Sequence, residues 1–145
     1  MRIDLTGSTA LVTGSTQGIG YAIADGLLDA GARVIVNGRG EEGTAAARDR
    51  LLAAHPGASV EVLAADVATE EGAARAVELF PEVDVLVNNL GIFGSADPLD
   101  ITDDEWRRYF EVNVLAAVRL TRAYLPGMMA RAGAGCSTSR ATRPS

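Results

Sequence analysis

Short apolar runs alternate along the chain with longer stretches in which apolar positions recur every three or four residues. The runs predict strands over 9–13, 33–37, 59–64 and 84–87, nearly continuous in Val, Leu, Ile or Ala, as strands covered on both faces are. The Ala-rich stretches between them predict helices over 18–30, 41–54 and 69–80. Gly31 is placed to end the first helix in a left-handed conformation, while His55-Pro56-Gly57 and Pro81 stop the next two. A fourth helix opens at Thr102-Asp103-Asp104-Glu105, a capping box whose acids suit the positive helix end. It continues past Asn113 towards Tyr124, and Pro126-Gly127 is expected to break or kink it. Strands alternating with helices make an α/β chain built of βαβ units on a parallel sheet.

Length and composition fit one domain with a sizeable core: 145 residues, 48% hydrophobic and 22% charged. Thirteen basic residues against nineteen acidic ones give a net charge of −6, which argues against a surface for nucleic acid or anionic lipid. All the basic residues are arginine. Chemistry that needs an ammonium, a Schiff base or a P-loop lysine is therefore excluded from these residues. The single cysteine, Cys136, supplies no disulfide framework and no thiolate cluster for a metal, so a reducing cytoplasm and no metal are expected. Met1-Arg2-Ile3-Asp4 lacks the plan of a signal peptide, and no apolar run approaches the roughly 18 residues of a membrane span. His55, alone beside Pro56, reads as a loop residue, and Trp106, Tyr109 and Phe110, at helical spacing, read as packing.

Composition changes at Arg131. Residues 131–145 hold three arginines, no acid and no large apolar residue, whereas residues 1–130 hold ten arginines against nineteen acids, a net −9. Nothing in 131–145 can offset the entropy of ordering, so a disordered tail is expected there.

Thr13-Gly14-Ser15-Thr16-Gln17-Gly18-Ile19-Gly20 joins the first strand to the first helix. A tight turn there exposes free amides at a helix N-terminus, an anion site, and glycines allow the main chain to approach a pyrophosphate. The same turn also reads as a tight connection and nothing more. The second strand ends in Asn37-Gly38-Arg39. Gly38 stands where an acid would bond the ribose 2′-OH of NAD, and Arg39 offers a planar guanidinium to a 2′-phosphate, so NADP is favoured over NAD. Arg39 without a ligand is an ordinary surface residue.

Gly-x-x-x-Gly-x-Gly after Thr13, Asp66-Val67 after the third strand, Asn88-Asn89-Leu90-Gly91 after the fourth and Asn113 within Glu111-Val112-Asn113-Val114 come in the order of the short-chain dehydrogenase/reductase family. The chain resembles that family over about residues 4–130. The resemblance implies a Rossmann-like doubly wound parallel sheet of order 3-2-1-4-5-6, incomplete here at four strands and four helices, with residues 1–130 a partial dinucleotide-binding domain. It implies hydride transfer between NADP(H) and a carbonyl or alcohol. Gly14, Ser15, Gln17, Gly18, Ile19 and Gly20 would cradle the cofactor phosphates, Asp66 and Val67 would flank the adenine, and Asn88 and Gly91 would lie along the nicotinamide-side ribose. Asp66 can instead cap the next helix, and Asn88-Asn89 can be an ordinary turn. Leu90 stands where the family has Ala.

Asn113 would be the remnant of a catalytic Asn-Ser-Tyr-Lys set; exposure to solvent is the alternative. The rest of the set is missing, because Tyr21, Tyr109 and Tyr124 are followed four positions on by Asp25, Asn113 and Met128. An unassisted phenol near pKa 10 is a poor base at neutral pH, so the polypeptide alone is not expected to catalyse hydride transfer. A substrate pocket belongs to the intact parent. The alternatives are a non-catalytic dinucleotide-binding module, or a homo- or hetero-oligomer built through the long helix 102–125. With later strands absent, the fourth strand is expected to be an apolar edge bearing Val83, Val85, Leu86 and Val87. Joining the last base of each codon to the first two of the next, residues 131–140 can be read as Gly-Trp-Gly-Arg-Val-Phe-Tyr-Ile-Ser, which fits the turn and strand the family places there. A shifted reading frame is the hypothesis that follows; genomic sequence in which that frame stops before a Tyr-x-x-x-Lys contradicts it.

Overall fold

The computed structural model describes residues 1–135; residues 136–145, with Cys136 and most of the arginine-rich tail, lie outside the described residues. Four parallel strands, β1 (Thr9–Val12), β2 (Arg33–Gly38), β3 (Val60–Ala64) and β4 (Val85–Val87), stand in the order β3-β2-β1-β4. Leu11 of β1 sits between Ile35 of β2 and Leu86 of β4. Helices α1 (Gly18–Asp29), α2 (Glu41–Ala54) and α3 (Glu70–Leu79) follow the first three strands. After β4, α4 (Asp103–Phe110) passes through a π turn (Glu111–Leu115) into α5 (Ala116–Gly135). The architecture is the Rossmann-like doubly wound α/β sheet, and Gly31 ends α1 at a φ of +90°.

Alternation along the central strands creates a core on each face. Ala10, Val12, Val34 and Val36 point to one side, where Ala24 and Leu28 of α1 and Ala47 and Leu51 of α2 cover them. Leu11, Ile35 and Leu63 point to the other, under Ala73 and Ala76 of α3 and Leu120 and Tyr124 of α5. Each fully buried Leu or Ile contributes about 2 kcal/mol, so β1 and β2, apolar on both faces, anchor the sheet. On the first face His55 ends α2, with Nε2 2.7 Å from Asp25 Oδ1 on α1. The histidine lies in the loop after α2, as expected, and there also ties that loop to α1.

Pro126 does not stop α5, which runs on to Gly135. The proline and Arg122, whose carbonyl it crowds, are both exposed, so water can serve the carbonyl that loses its partner. The helix is also pinned on either side of the proline. Tyr124 donates its hydroxyl to the Phe80 carbonyl at 2.9 Å, and Arg131 donates to the Val83 carbonyl at 2.6 Å while its Nε lies 3.2 Å from Asp84 Oδ1. Arg131, where composition marks a tail, is thus bonded to the fold. The same packing softens the edge: among the described residues β4 pairs with β1 alone, yet Val83 is buried and Val85, Leu86 and Val87 are half-buried.

The aromatic residues of α4 depart from expectation. Trp106 and Phe110 are each 55% exposed, and Trp106 meets Tyr109 edge-on with ring centroids 6.2 Å apart. No residue of α4 is buried, because no element among the described residues covers that face.

Burial pushes the Tyr124 phenol up to about 12, so the fold holds its neutral form. The associated stability is present below the ordinary phenol value near 10 and is lost as pH rises through about 12. Tyr124→Phe is expected to lower the unfolding free energy by about 1 kcal/mol at neutral pH and to make stability fall less steeply between pH 10 and about 12 in denaturant melts. Identical pH slopes for the two chains would contradict this anchoring of α5.

Candidate functional site

The carboxyl ends of the four strands meet in a buried polar network. Thr13, directly after β1, is 1% exposed, and its hydroxyl accepts the amides of Asn89 and Leu90 at 3.0 and 2.9 Å. Asn89 Nδ2 donates back to the carbonyls of Thr13 and Gly14, both at 3.0 Å. On the other side Asn37 of β2 donates Nδ2 to the carbonyls of Leu63 and Ala65, both at 3.0 Å, and accepts the Gly14 amide at 3.1 Å. Ser15 donates its hydroxyl to the Val12 carbonyl at 2.7 Å and accepts the Asn37 amide at 2.9 Å. No buried side-chain polar atom among the described residues lacks a partner. A fully satisfied buried network is rigid, so the strand ends form a fixed platform.

From this platform the chain turns through Gly14 and Gly18, with left-handed φ values of 59° and 60°, into α1. Gly20 presses the first helical turn onto the platform, where a Cβ would fall 2.4 Å from both Asn89 Nδ2 and the Gly14 carbonyl. The amides of Gln17, Gly18 and Ile19 have no acceptor among the described residues, and no side chain caps α1. Unpaired amides at the positive end of a helix suit an anion.

A cleft of about 410 Å³ opens beside the turn. Gly14, Gln17, Arg39, Asp66, Val67 and Gly91, all singled out in the sequence, line it. The remaining candidates are not part of its lining. Gly18 and Ile19 are exposed, Gly20 is buried beneath the turn, and Ser15 faces inward with its hydroxyl and amide both engaged. Asn88 turns to α5, donating to Thr121 Oγ1 at 3.2 Å. Asp66 does not cap α3. Thr69 does so, accepting the Gly72 amide at 3.0 Å, while Asp66 Oδ1 accepts the Ala68 amide at 3.1 Å in the loop before it.

Asn113 sits in the π turn and grips the segment after β4. Its Oδ1 accepts the Ile92 amide at 2.7 Å and its Nδ2 donates to the Ile92 carbonyl at 2.8 Å. Although exposed, it is not idle. A single π turn is unusual in a helix and re-aims side chains locally. Beyond it Arg119 donates to the Ala68 carbonyl at 2.7 Å and pairs with Glu111, joining α5 to the loop that carries Asp66 and Val67.

Several residues at the site carry no motif signal of their own in the sequence. Thr16, Asn89, Arg108 and Val112 line the cleft, Arg108 and Val112 reaching it from α4 and the π turn. Thr13 and Asn37 had a signal: each is the first polar residue after a buried apolar run, and such a residue needs partners. Arg108 had none, since nothing in the local pattern brings α4 over the ends of β2 and β3. Among the described residues no three His, Cys, Asp or Glu side chains are grouped to hold a metal, and no helix is long and apolar enough to cross a membrane.

Comparison with known proteins adds to this geometry. The family model for short chain dehydrogenases matches residues 8–136. The uncharacterized oxidoreductase YvaG of Bacillus subtilis (strain 168) is 54% identical over 129 residues, covering 89% of this chain and 49% of that protein. The 3-oxoacyl-[acyl-carrier-protein] reductase FabG of Escherichia coli (strain K12) is 38% identical over 88% of this chain and 52% of its own length. L-sorbose reductase from Gluconobacter frateurii, solved with NADPH and L-sorbose, superimposes with a TM-score of 0.82 at 37% identity, covering 90% of this chain and 51% of that one. The Pseudomonas aeruginosa RhlG/NADP complex superimposes with a TM-score of 0.77 at 36% identity, covering 86% and 49%. The chain spans about half the length of the relatives it matches. Strand order, glycine turn and matched span agree, and the chain belongs to the short chain dehydrogenase family.

Proposed function

We propose that residues 1–130 are the cofactor half of an oxidoreductase acting on a carbonyl or alcohol, and that they take NADP(H) in preference to NAD(H). The observation that carries this reading is the row of unpaired amides at Gln17, Gly18 and Ile19 beside a cleft lined by Arg39 and Arg108. The bound dinucleotide supplies the hydride. Gly14, Gln17, Gly18 and Ile19 receive its pyrophosphate, with Ser15 and Gly20 shaping the turn beneath. Asp66 and Val67 flank the adenine, and Arg39 bonds the 2′-phosphate with its planar guanidinium. Gly38 favours the same choice: a Cβ there would fall 2.6 Å from Thr16 Cγ2, so an acid aimed at a ribose 2′-OH is crowded out unless Thr16 moves. Gly91 lies beside the nicotinamide-side ribose, on a segment held by Asn88 and Asn113. L-sorbose reductase and RhlG, described with NADPH and NADP, lend support.

These residues hold no lysine to assist a tyrosine, and the Tyr124 phenol is held neutral by burial. We therefore read them as binding cofactor without turning it over unaided, with substrate chemistry belonging to the longer parent. Assembly through helix 102–125 is the accompanying proposal. Trp106, Phe110, Val114 and Val118 form an exposed apolar row at four-residue spacing, fitted to a second copy of the chain.

Titration calorimetry of the 145-residue chain is expected to give saturable NADPH binding, with NADH weaker. Arg39→Ala is expected to weaken NADPH about tenfold and leave NADH unchanged. Absence of saturable binding by either dinucleotide contradicts the reading. Sedimentation velocity is expected to show self-association that Phe110→Glu abolishes; a wild-type chain monomeric at every accessible concentration contradicts the assembly.

A further inference from the structure

Arg50 lies on α2, outside every motif in the chain, yet its guanidinium reaches the glycine-rich turn. One Nη donates to the Thr16 carbonyl at 2.7 Å, and the guanidinium carbon stands 4.5 Å from the centroid of the Tyr21 ring on α1. Its contacts among the described residues are thus a carbonyl and an aromatic face rather than a carboxylate, so its charge is not cancelled there. We propose that Arg50 is a positioning residue for the anion-binding turn, and this inference rests on the dinucleotide-binding reading above.

In a trans peptide the carbonyl and the following N–H point in opposite directions. Holding the Thr16 carbonyl outward, against α2, therefore turns the Gln17 amide away from α2, and Thr16 and Gln17 both border the cleft. Gln17 is the N-cap of α1 with an extended backbone, φ −159° and ψ 173°, and its amide has no acceptor among the described residues. A residue outside the regular helix, with no side-chain cap, has little local reason to keep one orientation. Thr16 is restrained from two sides instead: its methyl packs where β2 ends at Gly38, and its carbonyl is held by Arg50. Tyr21, one turn into α1, supplies the ring over which the guanidinium carbon sits, so the arginine's own freedom is reduced before it bonds the carbonyl. Arginine suits the place because one planar group can stack and donate together, which an ammonium does less well.

Positioning differs from direct contact in what it does to two cofactors. The pyrophosphate is common to NADPH and NADH, so a residue that aims the turn affects both, whereas a residue touching the 2′-phosphate affects NADPH alone. The test uses the 145-residue chain and its Arg50→Met and Arg50→Lys variants, titrated with NADPH and with NADH, alongside nitrogen-15 relaxation of the Gln17, Gly18 and Ile19 amides without cofactor. Arg50→Met is expected to weaken both dinucleotides by a similar factor of about ten and to raise the mobility of those amides, with the thermal midpoint little changed because the side chain is exposed. Arg50→Lys, which keeps a donor and the charge, is expected to recover part of the affinity. Unchanged affinity and unchanged amide mobility overturn the inference while leaving the dinucleotide reading intact. A loss confined to NADPH also overturns it, by making Arg50 a direct phosphate ligand. Failure of the wild-type chain to bind either cofactor removes the reading and the inference with it.

Discussion

The rest of the structure depends on the hydrogen bonds that knit the strand ends together. Thr13 and Asn89 lock β1 to the segment after β4, and Asn37 locks β2 to β1 and β3. Breaking one partner of such a buried pair leaves a polar atom unsatisfied, at a cost of about 1–3 kcal/mol. The glycine turn, the loop after β3 and the loop after β4 all leave from this platform. Their relative positions are therefore set by bonds made in the sheet, before any ligand arrives.

A second layer of contacts aims what the platform supports. Asn113 holds Ile92 from the π turn, Arg119 holds Ala68 from α5, and Arg50 holds Thr16 from α2. Each is a polar side chain on a helix reaching a backbone group in a loop beside the cleft. Backbone groups do not vary with side-chain identity, so such ties fix loop geometry while leaving loop side chains free to face the cleft. The acidic net charge of the chain coexists with Arg39 and Arg108 at the cleft because a ligand meets the local field rather than the sum.

Local pattern carried much of the fold. Strands fell where apolar runs occur and helices stopped at Gly31 and before Pro81, since these signals act over a few residues. The glycine turn was legible for the same reason. What escaped depends on distant partners: Thr13 bonds Asn89, 76 positions away, and Arg131 bonds Val83, 48 positions away. Composition marked Arg131 as the start of a tail, and a proline marked 126 as a break or kink, because neither signal registers the tertiary contacts that hold α5 on both sides. Trp106 and Phe110 misled in the opposite sense. Their spacing is that of a packed face, but packing needs a partner that the described residues do not provide.

The claim that the platform presents one anion and dinucleotide site at the carboxyl ends of the strands is tested most directly by amide chemical-shift mapping of the full chain on addition of NADPH. Perturbations are expected to be confined to residues 14–20, 37–39, 65–67 and 89–92, with the hollow at the opposite end of the sheet, bordered by Gly7, Arg33 and Pro56, unmoved. Perturbations centred on that opposite hollow, with residues 14–20 silent, would contradict it.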